Sequence, residues 1–155
     1  MITVKDILAS KVRANNFIEP TALVVDALKL LHSVNRSYLI VQENETFVGI
    51  FSERDYTRRV FLEGRSSTDT RVQEVMATDL PHVDLAATVE DCMNLMTNHG
   101  SRYVLAFDNR EEFAGVITSH DLMRQIIAII SNKEGLFDKS LASAFIDKDE
   151  SGLIY

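Results

Sequence analysis

Residues 49–56 read GIFSERDY, and residues 115–122 read GVITSHDL. One pattern is written twice, 66 positions apart: glycine, apolar residues, a hydroxyl, two variable positions, an aspartate and a large apolar residue. The repetition extends well beyond it. VKDILAS from Val4 resembles VQEVMAT from Val72 at an offset of 68, and VVDALKLLHSVNRSYLIV from Val24 lies over VEDCMNLMTNHGSRYVLA from Val89 at an offset of 65. The small changes in offset place insertions in loops, and a chain written this way must build one unit twice. The division expected is residues 1–68 for the first repeat, 69–131 for the second and 132–155 for a C-terminal extension.

Within each copy the periodicities change in the same order. VVDALKLLHSV places Ala27, Leu30, Leu31 and Val34 at helical spacing, and VEDCMNLMTNHG does so with Cys92, Leu95 and Met96 before Gly100, which predicts a helix stop. SYLIV and RYVLAF are rich in β-branched and aromatic residues; polar turns (QENET, DNREE) follow, then FVGIF and FAGVI. Those predict a hairpin in each copy. RDYTRRVFLEG and HDLMRQIIAIIS return to helical spacing, with Tyr56, Val60 and Phe61 on one face in the first copy and Leu122, Ile126, Ile127 and Ile130 in the second. With NNFIEP and LPHVDL as first strands, each repeat reads strand, helix, strand, strand, helix, an α+β unit. A unit this short cannot bury both faces of its sheet alone, so the copies are expected to pack together with pseudo-twofold symmetry.

The repeated motif falls where a strand hands over to a helix. Ser52 with Asp55, and Thr118 with Asp121, fit helix caps: the hydroxyl receives a first-turn N–H and the acid favours the positive helix end. A helix N-terminus also suits an anion, and an aspartate beside it can accept hydrogen bonds from the vicinal hydroxyls of a ribose. Both readings can hold at once.

Other candidates carry less. The formal net charge of −7 argues against bulk attraction to nucleic acid or an acidic membrane, and Arg58, Arg59, Arg65 and Arg71 fit a solvated face or phosphate contacts. The richest apolar run, from Leu122 to Ile130, contains Arg124 and Gln125 and falls short of the roughly 20 residues of a membrane span. The single cysteine, Cys92, lies on an apolar helix face and fits a buried structural thiol, and it shows no metal-ligand spacing with His32, His82, His99 or His120. With no long apolar run at the start, a soluble protein of the reducing cytoplasm is expected. Ser119, His120 and Asp121 are neighbours in sequence, and neighbouring side chains at a helix start diverge, so they do not form a triad. DKDESG from Asp147 imitates the start of a calcium loop, but the sequence ends at Tyr155, before the bidentate glutamate such a loop needs. In the extension, LFDKSLASAFI is apolar enough to dock on a partner or on the second chain of a dimer.

The doubled unit, with GIFSERDYTRRVFLEGRSS in one copy and GVITSHDLMRQI in the other, resembles the tandem cystathionine-β-synthase-type (CBS) domains that form a Bateman module. The resemblance covers about residues 1–131. It implies a βαββα pair, homodimeric, whose clefts between repeats bind adenosine nucleotides and which regulates a separate protein and does not catalyse. AMP, ADP and ATP are the ligands implied, with NAD and S-adenosylmethionine as further adenosine-bearing choices, and no metal. Carried over position by position, the resemblance makes Asp55 and Asp121 the ribose acceptors, with Ser52 and Thr118 on ribose or phosphate. Arg36, Ser37 and Tyr38, and Ser101, Arg102 and Tyr103, would line the cleft near base or phosphates, with Arg102 the foremost phosphate residue. Arg54 and His120 would add phosphate contacts, and Ile50 and Val116 would lie against the adenine. Two departures stand out. Ile40 and Leu105 replace the proline common in the middle strand, so that strand is free to pair more fully. The motifs also differ, SERD against TSHD, so the clefts need not bind alike. The competing reading is an interaction module in which both motifs are only caps.

Overall fold

The computed structural model describes residues 1–134; the C-terminal segments discussed above, LFDKSLASAFI and DKDESG, lie outside the described residues. The described residues divide into two compact units, one formed by residues 13–79 and the other by residues 1–12 together with residues 80–134.

In the first of these, β1 (Phe17–Ile18) runs parallel to β2 (Tyr38–Glu43), which pairs antiparallel with β3 (Thr46–Ser52). Helix α2 (Val24–Val34) connects β1 to β2, and α3 (Glu53–Asp55) leaves β3 and widens into a π-helical turn, Tyr56–Phe61. The other unit repeats this order: β4 (His82–Asp84), α5 (Val89–His99), β5 (Tyr103–Phe107), β6 (Phe113–Thr118) and α6 (Ser119–Glu134). Helix α1 (Val4–Ser10) opens the chain and α4 (Val72–Val75) precedes β4. Helix, strand and hairpin thus follow the order that the periodicities predict.

Each local choice has a visible cause. Asn35 and Gly100 end α2 and α5 in the left-handed conformation, with φ of 51° and 59°, a conformation open to glycine and tolerated by asparagine. The β2–β3 turn uses Asn44 and Glu45, both at positive φ, which matches the twist of a tight hairpin. Ile40 and Leu105, standing where a proline was expected, use the N–H a proline lacks: they donate to the Asn16 and Pro81 carbonyls at 2.8 and 2.9 Å. Those bonds knit β1 to β2 and β4 to β5. One expectation fails. The π-helical turn does not keep the 3.6-residue period, so Val60 is buried while Phe61 points outward at 67% exposure.

The leading helices are exchanged between repeats. Helix α1 belongs by sequence to the first copy, yet Val4 N–H donates to the Ala87 carbonyl (2.8 Å) and Val4 and Ile7 sit among Cys92, Met96, Val104 and Ile117 of the second. Helix α4, the start of the second copy, places Val72 and Val75 among Val24, Leu39, Phe51 and Val60 of the first. The compact units accordingly join residues 1–12 to the described chain after Asp79, and residues 72–79 to the first copy.

This exchange explains the glycine of the repeated motif. β3 and β6 are edge strands, and an exchanged segment lies across each of them. A Cβ on Gly49 would stand 2.9 Å from both the Ala77 carbonyl oxygen and the Met76 sulfur; one on Gly115 would stand 2.7 Å from a Leu8 methyl. At Gly49 the obstacle is backbone, which cannot give way, so glycine is needed there; at Gly115 it is the end of the Leu8 side chain.

Candidate functional site

The hairpin register brings together residues that lie far apart in sequence. Tyr38 pairs with Ser52 and Tyr103 with Thr118, so each strand entry (Arg36 to Tyr38, Ser101 to Tyr103) meets its own motif. The Glu53 N–H donates to the Ser37 carbonyl (3.3 Å), and the Ser119 N–H to the Arg102 carbonyl (3.0 Å).

Both motifs are capping boxes. The Ser52 N–H and hydroxyl donate to Asp55 Oδ2 at 2.9 and 2.8 Å, and the Asp55 N–H returns to Ser52 Oγ at 3.2 Å. Thr118 and Asp121 repeat this at 2.8, 2.9 and 3.1 Å. The same device caps α1 through Thr3 and Asp6, and α5 through Thr88 and Asp91. Sequence reasoning singled out two of these four boxes, although S/T-x-x-D is legible at all of them. Two of the first-turn N–H groups of each motif are thereby engaged, Glu53 and Asp55 in one and Ser119 and Asp121 in the other.

The two sites differ in those side chains. Arg36 is only 8% exposed, and among the described residues its guanidinium makes no hydrogen bond or ion pair. Arg102, the expected phosphate residue, is exposed. Arg54 is exposed, and Ser37, Tyr103 and His120 are half-buried. Ile50 and Val116 are buried at 1% and 3%, each packed between a neighbouring strand and an exchanged segment. Asp55 has Arg59 Nε at 3.9 Å from its Oδ1, but that guanidinium is committed elsewhere, donating to the Met76 carbonyl at 2.7 Å. Asp121, 4% exposed, instead holds Lys11 Nζ at 2.7 Å, and Lys11 also donates to the Val116 carbonyl at 2.9 Å. Lys11 escaped the sequence reading; its signal was the contrast with Asp79, which occupies the matching position 68 residues on.

A family profile described as "CBS domain" matches the chain twice, over residues 4–61 and 72–128. The chain belongs to the CBS-domain family. Among curated relatives, the Arabidopsis thaliana CBS domain-containing protein CBSX3, mitochondrial, is 28% identical over 134 residues, covering 81% of this chain and 65% of its own length. The structure of a protein with CBS domains from Burkholderia ambifaria MC40-6 is 35% identical with a TM-score of 0.75, covering 82% of this chain and 95% of that one. That of CBSX2 in complex with AMP is 26% identical with a TM-score of 0.68, covering 83% and 98%. The two three-stranded sheets with their helices are the α+β architecture of these CBS pairs. Among the described residues no group of three His, Cys, Asp or Glu could hold a metal ion, and no helix is long and apolar enough to cross a membrane.

The CBS repeats also give one capping geometry two electrostatic settings. Burial pushes the Asp55 carboxyl above its ordinary value of 3.8, outweighing the Ser52 hydrogen bonds. At exposed Asp6 and Asp91 the cap hydrogen bonds win, and both lie below 3.8. The folded chain thus holds the Asp55 proton more tightly than the unfolded chain does. The Asp55 contribution favours folding below pH 3.8 and is lost as pH rises through its folded value. Asp6 and Asp91 contribute above 3.8, and lose that contribution as pH falls through their folded values. A carboxyl-carbon NMR titration should find Asp55 above and Asp6 and Asp91 below that mark; Asp55 titrating with the other two would refute the burial account. Cys92 is fully buried and its thiol is pushed up to about 11 by desolvation, which suits a packing residue and not a nucleophile.

Proposed function

We propose that the chain is a regulatory module that binds an adenosine nucleotide of the AMP, ADP or ATP class at the strand-to-helix turn of its CBS repeats and passes occupancy to a separate protein. The observation that carries this reading is Arg36, a largely buried cation with no anion among the described residues. A guanidinium that is largely withdrawn from water with no ion-pair partner among the described residues costs free energy, and a phosphate offers it a bidentate acceptor. Asp55, on the short helix that follows the strand paired with the one Arg36 leads into, supplies the acceptor for ribose hydroxyls, and Ser52 fixes its orientation. The AMP complex of CBSX2 supports the ligand class. A cytoplasmic homodimer without catalytic activity, sensing its ligand through two arrangements of different affinity, completes the proposal.

The test is calorimetric titration with AMP, ATP, NAD and S-adenosylmethionine, paired with thermal unfolding. Saturable binding should raise stability by about 2.7 kcal/mol at a hundredfold excess over Kd. Failure of every one of these ligands to bind or stabilise at millimolar concentration would sink the reading.

The capping boxes at Thr3 and Thr88 favour a second reading, in which S/T-x-x-D is simply how this chain starts helices and the module acts through protein contacts alone. It expects Asp55→Ala to cost about 1 kcal/mol, as an ordinary cap does, with no ligand lost.

A further inference from the structure

Internal repetition supplies its own control, because every contact in one copy has a counterpart position in the other. In the first unit, the exchanged segment satisfies edge strand β3 through its backbone: Ile50 and Ala77 exchange N–H to carbonyl bonds of 2.9 and 2.7 Å. In the second, the carbonyl of Val116, the counterpart of Ile50, is satisfied by a side chain, Lys11 Nζ at 2.9 Å. That same ammonium reaches Asp121 Oδ2 at 2.7 Å, where the Thr118 N–H and hydroxyl already donate. Three donors converge on one carboxylate oxygen, and both partners of the ion pair are largely buried, at 15% and 4% side-chain exposure.

Asp55 is held more loosely: its cationic neighbour, Arg59, stands 3.9 Å from Oδ1 and donates at 2.7 Å to the Met76 carbonyl. Its Oδ2 takes the two donors of Ser52, and the position corresponding to Lys11 is Asp79, an exposed acid that cannot donate. Arg36, largely buried and with no anion among the described residues, is also in this unit, whereas its counterpart position at the other motif is Ser101, which carries no charge. Among the described residues the second motif meets its carboxylate with a close internal cation, whereas the first does so only at 3.9 Å and its unit keeps a largely buried guanidinium without an anion.

We propose that Lys11 is a built-in occupant of the second motif, so that the chain carries one nucleotide site, at Asp55 and Arg36, and that removing the Lys11 ammonium creates a second at Asp121. This rests on the nucleotide reading above and adds which repeat uses it. A ribose hydroxyl approaching Asp121 must compete with a charge-assisted donor already in place, and displacing Lys11 would strand its ammonium and the Val116 carbonyl without partners, both costly when buried.

The probe is AMP, titrated calorimetrically into the full chain. Wild type should bind one AMP per chain, Asp55→Ala none, Lys11→Met two, and the double variant Lys11→Met/Asp55→Ala one. Because Lys11→Met removes a buried partner and could fail to fold, the wild type is also followed directly. The 15N ammonium signal of Lys11 should stay protected from solvent exchange, and unchanged in shift, at saturating AMP. Two AMP per wild-type chain, release of the Lys11 ammonium by AMP, or a folded Lys11→Met that still binds one would each overturn the inference while leaving nucleotide binding intact. Absence of binding in wild type and every variant would overturn the nucleotide reading itself and this inference with it.

Discussion

Asp121→Ala will destabilise the chain by about 3 kcal/mol, whereas Asp55→Ala, at the same position of the same motif, will cost about 1 kcal/mol. Each substitution removes a capping acceptor, worth about 0.5 to 2 kcal/mol. Only Asp121 also neutralises a buried cation, and breaking a buried pair by deleting one partner typically costs about 3 to 5 kcal/mol; the 15% exposure of Lys11 places this case at the lower end. At Asp55 the balance tilts the other way, because burial already works against its charged form, so deletion removes a desolvated group along with the cap. Urea unfolding monitored by circular dichroism measures the difference, with an unchanged m value showing that stability alone has moved. At this chain length the extra 2 kcal/mol or so corresponds to a Tm about 4 to 8 °C lower. Equal losses for the two variants would mean that the Lys11 pair adds nothing to a cap.

What the sequence made legible, and what it hid, follows from how far each feature reaches along the chain. Hairpins, helix stops and capping boxes are set by residues within a few positions of one another, and Asn35, Gly100, Ser52 and Thr118 all do what their local chemistry requires. The exchange of α1 and α4 was hidden for the opposite reason. Val4 with Ile7, and Val72 with Val75, present the same apolar spacing, and periodicity names the face a helix buries without naming the sheet that receives it. Lys11 was missed as a consequence, since its partner Asp121 lies 110 residues away in the repeat that α1 joins. The repeated glycine shows the same division: its presence was plain, but its cause, the backbone of Ala77 and the side chain of Leu8 lying against an edge strand, exists only once the segments have crossed. The ranking of Arg102 over Arg36 rested on residue type and position, and it could not foresee that only one of them is taken out of water.

Arg36→Met should make the ligand-free protein more stable and the nucleotide weaker. Arginine is seldom buried without a partner, and replacing an uncompensated buried charge by an apolar side chain of similar length is expected to gain about 1 to 3 kcal/mol. The methionine keeps the packing of the stem and gives up only the charged fork. If that fork holds a phosphate, its loss removes charge-assisted hydrogen bonds worth about 1.5 to 3 kcal/mol, a fall in AMP affinity of roughly 10- to 150-fold. Adenosine, which has the same base and ribose but no phosphate, should bind both proteins alike, and the salt dependence of AMP binding should flatten in the variant. Arg36→Lys should recover part of the affinity, because an ammonium restores the charge without the bidentate geometry. The two readings of the motif part here. A guanidinium that serves packing alone predicts lower stability for Arg36→Met and no change in AMP binding. A guanidinium held in readiness for an anion predicts higher stability bought with lost affinity, the trade expected where a binding site keeps a charge that folding by itself would discard.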